Sequence, residues 1–118
     1  MDSSAAQATF TCEWAEYLRQ HGHMVKKVSV APDVIRSRNT RCRYRWIMLL
    51  ARSSARRLTA IEREGLQRQL LLARRHREKV YLVVKFERPP QKAVVLPAEA
   101  ALKAGQIRSD KGGIPWDE

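Results

Sequence analysis

Hydrophobic positions in this chain change their period several times, and each change marks a new element. Phe10, Trp14, Tyr17 and Leu18 recur at helical spacing, which predicts a first helix over 9–21 with Gly22 as its left-handed cap. Residues 1–8 are small and polar and are expected to be a flexible N-terminus. Over 23–30 the pattern alternates, with Val28 and Val30 on one face, as in a strand. Pro32-Asp33 punctuates it, a short strand is expected over 34–38, and Asn39-Thr40 reads as a turn. The segment 43–51 is a further strand that becomes wholly apolar from Trp46 to Leu50, the pattern of a central strand buried on both faces.

Thr59 and Glu62 then stand at the spacing of a capping box, in which each side chain satisfies a backbone N–H of the first helical turn. Ile61, Leu66, Leu70 and Ala73 supply the apolar stripe of a helix over 59–77, and Leu71 and Leu72 widen it as for a helix laid on a sheet. The segment 80–86 has high β-propensity, Pro89-Pro90 marks a turn, and a shorter strand returns over 92–96. Pro97 suits the first position of a last helix, with Glu99 in its first turn and Gly105 closing it. The order is helix, three strands, helix, two strands, short helix. It predicts one three-layer α/β domain over 9–105 around a central mixed sheet. A tail over 106–118, with Lys111-Gly112-Gly113 and Trp116, reads as a lid or a docking segment.

Charge changes this picture from a generic domain to a polyanion binder. Residues 36–77 hold thirteen arginines, no lysine and two acids, Glu62 and Glu64, so this stretch alone carries the whole chain's formal charge of +11. Everything outside it cancels. Nucleic acid is the polyanion that such a surface meets most often, and the planar arginine fork suits phosphate better than a lysine point charge. An apolar fraction of 44% argues against disorder. Cys12 and Cys42 fit no metal-ligand spacing, and without a secretory signal or a long apolar run the expected compartment is the cytoplasm. His21, His23 and His76 form no ligand cluster and read as surface polar residues.

The layout over 9–86 resembles the PD-(D/E)XK nuclease superfamily, the fold of many restriction enzymes and Holliday-junction resolvases. Pro32-Asp33 precedes the second short strand, where that family places its first metal-binding carboxylate, and the first helix carries Glu13 and Glu16, where the family often adds a glutamate ligand. The resemblance implies a Mg²⁺-dependent nuclease with catalytic and metal-binding candidates Asp33, Glu13 and Glu16. It also implies DNA before RNA as the ligand, and a possible homodimer or larger assembly.

The third strand departs from the family pattern. A carboxylate, one residue and a lysine are needed there, to hold the cation and to orient the attacking water. Met48 and Leu50 occupy those positions, and neither can ligate Mg²⁺ or move a proton. Glu87, beyond the next strand, is a candidate substitute. The expectation is therefore a nuclease-like protein without robust activity and without a cofactor, Mg²⁺ entering only if a divergent nuclease survives. Its phosphate contacts are assigned to Arg36, Arg38, Arg41, Arg43, Arg45, Arg52, Arg56 and Arg57. Arg41, Arg43 and Arg45 share one strand face, while Tyr44 and Trp46 point to the core. The rival readings are a divergent metal-dependent endonuclease and a basic adaptor that docks an acidic protein.

Overall fold

The capping box forms as its spacing requires. Thr59 Oγ1 accepts from the Glu62 amide at 3.1 Å, and a Glu62 carboxylate oxygen accepts from the Thr59 amide at 2.9 Å. The computed structural model describes residues 3–28, 33–52, 55–87 and 92–108. Their elements in chain order are α1 (Ser3–Gln20), β1 (Met24–Val28), β2 (Val34–Arg38), β3 (Arg43–Ala51), β4 (Ala55–Arg57) and α2 (Ala60–His76). They continue with β5 (Glu78–Phe86), β6 (Lys92–Pro97), α3 (Ala98–Ala104) and β7 (Gln106–Arg108).

Five strands make a mixed sheet in the order β1-β2-β3-β5-β6. Successive neighbours are antiparallel except β3 and β5, which run parallel because α2 carries the chain back across the sheet. Side chains alternate across this sheet and define two cores. One face packs Ile35, Tyr44, Trp46, Met48 and Val83 against Phe10, Trp14 and Leu18 of α1. Its centre is aromatic, with Trp46 stacked at 5.3 Å on both Tyr44 and Tyr81 and edge-on to Trp14 at 5.7 Å. The other face packs Val34, Ile47, Leu49, Leu82 and Val84 against Leu66 of α2 and Ala98 and Ala101 of α3. The expected layers and mixed central sheet are those observed.

Several boundaries differ, each for a local reason. Helix α1 begins at Ser3 rather than residue 9, and its added turns carry Gln7, whose side chain bonds the Met48 carbonyl at 2.9 Å. Strand β5 begins at Glu78, two residues before its apolar run, where the Glu78 side chain is buried against Arg45 of β3. Two short strands, β4 and β7, pair with each other in a separate two-stranded sheet, so the folded part extends past residue 105 to Arg108. Ile61, Leu71 and Leu72, read as core stripe, are solvent-exposed on α2, whose contacts with the sheet include Leu66, Gln69 and Leu70. His23, read as a surface residue, is buried against Tyr44 and Trp46. Both cysteines are free. No helix among the described residues is long and apolar enough to cross a membrane. Pro32, Pro89-Pro90 and the segment with Lys111 and Trp116 lie outside the described residues.

Candidate nucleic-acid interface

Alternation along β3 puts Arg43 and Arg45 on the same face as Ile47 and Leu49, under the C-terminal half of α2. Arg45 is only 4% exposed. Its Nε donates to Glu78 Oε1 at 2.8 Å, and one terminal nitrogen donates to Gln69 Oε1 at 2.6 Å. Arg36, paired opposite Arg45 on β2, donates from Nε to the other Glu78 oxygen at 2.7 Å. One buried carboxylate therefore engages two of the arginines assigned to phosphate. Arg56 is engaged as well: it binds both carboxylate oxygens of Glu62, the acid that caps α2. Burial opposes ionisation of Glu62, but Arg56 and the Thr59 amide outweigh it and hold the carboxyl below its ordinary value.

The remaining arginines divide between the two ends of the sheet. Arg52 and Arg57 are exposed near the end of β3 and on β4. Arg38, Arg41 and Arg43 surround the β2–β3 turn, which Asn39 closes by accepting from the amides of Arg41 at 2.9 Å and Cys42 at 2.8 Å. Facing that turn is the end of α2, where Arg77 takes a left-handed conformation (φ 54°) and its N–H reaches the carbonyls of Ala73 and Arg74. Between them lies an open cleft of about 740 Å³, lined by Arg38, Arg41, Arg43, Arg75, Arg77 and Lys79 with Asn39, Thr40, Cys42 and His76. No acid lines it. Cys42 chiefly, then Tyr81 and Tyr44, raise the Lys79 pKa once they ionise at alkaline pH, and at neutral pH this exposed ammonium is charged in any case.

The nuclease-like position is at the other end of β2 and β3. The Met48 amide donates to the Asp33 carbonyl at 3.0 Å, so Asp33 sits directly across from the residue standing in place of the family's acid. The Thr11 hydroxyl lies 2.9 Å from both Asp33 Oδ2 and the Gln7 carbonyl, and its single proton serves one of them at a time. Neither helix glutamate joins Asp33 in an ion-binding group. Glu13 pairs with Lys85 at 3.6 Å, and Glu16 pairs with Arg19 at 3.6 Å on the surface. Among the described residues no three His, Cys, Asp or Glu side chains come together to hold a metal ion. Met48 is fully buried and Leu50 has no donor atom, so the residues present do not fit the Mg²⁺ that the nuclease resemblance implies.

Sequence reasoning missed two residues here. Lys85 stands on β5 directly beside Leu50, with its ammonium 5.8 Å from the centre of the Phe10 ring. A cation thus occupies the strand next to the missing lysine. Its signal was present: Lys85 interrupts an apolar run at the period of Tyr81 and Val83. Glu78 was hidden by its place between a helix end and a strand, inside the basic run Arg77-Glu78-Lys79.

No family model matches the sequence, and no curated protein matches it. Among solved structures, Hjc, a Holliday junction resolvase from the archaeal hyperthermophile Archaeoglobus fulgidus, aligns over 80% of this chain and 74% of its own. The TM-score is 0.64 and the identity 21%. This chain has the fold of a Holliday junction resolvase. The nuclease-like layout expected from the order of elements is therefore the observed one. The resolvase-like sheet carries Arg38, Arg41 and Arg43 around the β2–β3 turn, and Asp33, with Arg52 and Arg57, toward the opposite end.

Proposed function

We propose that this protein binds nucleic acid, DNA in preference to RNA, through backbone phosphates, and that it lacks robust nuclease activity. One observation carries the reading: on a resolvase-like fold, the whole net charge of +11 lies in an arginine stretch, while Met48 and Leu50 stand where cleavage would need an acid and a lysine. DNA is favoured because a solved structure with this fold is that of a Holliday junction resolvase. Arginine forks hold phosphate through paired, charge-assisted hydrogen bonds. Such contacts set affinity and position but read no base sequence. Hydrolysis is disfavoured because Asp33 alone supplies too little negative charge to hold a divalent cation, and Glu13 is turned to Lys85.

The test is binding to duplex and four-way junction DNA as salt is raised. Engagement of about four phosphates predicts a loss of affinity of roughly a hundredfold between about 50 and 200 mM salt. The same DNA is expected to stay intact in Mg²⁺ or Mn²⁺. Absence of binding at low salt sinks the proposal. Metal-dependent cleavage that disappears in Asp33→Ala replaces it with the divergent nuclease.

A further inference from the structure

We infer that the nucleic acid is held as a run of backbone phosphates in the cleft between the β2–β3 turn and the end of α2, at the far end of the sheet from Asp33. This rests on the nucleic-acid reading above and adds the surface and the chemical feature recognised.

Elimination is the first argument. Arg56 is bound to Glu62, and Arg36 and Arg45 share the single charge of Glu78, so two of these three charges are balanced within the fold and Arg45 is buried besides. Six cations from the ends of β2, β3, α2 and β5 meet in one cleft of about 740 Å³ with no acid on its walls among the described residues. Like charges gathered in this way repel one another, and an anion between them removes that cost. The favourable end of the α2 dipole accounts for Arg75, but it leaves Arg38, Arg41, Arg43 and Lys79 without an internal reason to converge.

Shape and stiffness name the ligand. The volume far exceeds one phosphate, and among the described residues no Phe, Tyr or Trp lines the walls to stack a base. A sugar–phosphate backbone meets both conditions. The turn is braced by Asn39, and beneath it Glu78 ties β2 and β3 to β5, so the cations are positioned before the ligand arrives. Glu78 itself points inward with a side chain 2% exposed, which keeps its charge off the cleft although Arg77 and Lys79 flank it. Arg38 and Arg43 stand five residues from Asp33 and Met48 on their strands, about 17 Å of extended chain. A strand seated here stays clear of Asp33.

The experiment measures binding of a short oligonucleotide, single-stranded and as duplex, by the full chain and three variants. Arg41→Ala with Arg77→Ala is expected to weaken binding about tenfold or more and to reduce the salt slope by about 2. Arg52→Ala with Arg57→Ala, at the other end, is expected to lose clearly less, and Lys103→Ala on α3 to match the parent chain. An equal or greater loss from the Arg52/Arg57 pair overturns the placement while leaving nucleic-acid binding standing. No binding by the parent chain at low salt defeats the broader reading along with this one. Polyglutamate bound as tightly as the oligonucleotide overturns the choice of ligand and favours an acidic protein.

Discussion

Arg45 on β3 and Glu78 on β5 form a buried ion pair at 2.8 Å, with side chains 5% and 2% exposed. The same carboxylate holds Arg36, so three adjacent strands are joined by one acid beneath the cationic cleft. A buried charge pair contributes little net stability when complete, because both groups have left water, but removing one partner strands the other.

Glu78→Gln is therefore expected to cost about 3–5 kcal/mol in urea unfolding, since it leaves the Arg45 guanidinium buried without a counter-charge. Arg45→Met with Glu78→Leu is expected to recover most of that loss. If Glu78→Gln unfolds at the parental midpoint, the pair has no structural role.

Thr59→Ala removes the cap of α2 and is expected to cost about 1 kcal/mol. Its partner Glu62 gives a pH signature. The carboxyl is held below its ordinary value in the folded protein, so its contribution is present above the ordinary carboxylate range and is lost as pH falls through the lowered value. Melting temperature against pH should flatten in that acid window in Glu62→Gln.

His23 titrates in a different window. Its Nδ1 lies 2.9 Å from Ser37 Oγ, which accepts from Trp46 Nε1 at 2.8 Å and so has its own proton for the imidazole. Burial first, and then the charge of His21, push its pKa down. The unfolded chain thus takes up the proton before the folded one. Stability is expected to be full above about pH 6.5 and to decline as pH drops toward the lowered value. Loss of this slope in His23→Gln is the expected result; an unchanged slope assigns it to another group.

Arg77 is a left-handed residue that is not glycine, at φ 54°. Arg77→Gly relieves that strain and is expected to raise stability by up to about 1 kcal/mol while weakening oligonucleotide binding. Parallel denaturation and binding assays check both directions. A variant that gains stability and keeps full affinity removes Arg77 from the interface.

Much of the fold could be read directly. Strands β2 and β3 were located to the residue from Pro32-Asp33, the Asn39 turn and the apolar run over 46–50, because turn chemistry and period are local properties. The α2 cap was equally plain, since Thr59 and Glu62 are three residues apart and meet nothing distant to form it. Ile61, Leu71 and Leu72 were misjudged because a helical stripe shows which residues share a side, not how far the sheet extends beneath them. The short pair β4 and β7 escaped because each strand has three residues, and their partnership spans half the chain.

By itself, the sequence determined the order of the main elements apart from β4 and β7, the excess of arginine, and that Met48 and Leu50 rather than an acid and a lysine stand on the third strand. All three follow from residue identity and near neighbours. Only the tertiary structure decided which arginines are free. Arg43 and Arg45 look alike two residues apart, yet Arg45 meets Glu78 from a strand 33 positions away, while Arg43 is exposed on a cleft whose described walls carry no acid. A long-range pairing on the parallel β3–β5 ladder made that choice, and local pattern carries no record of it.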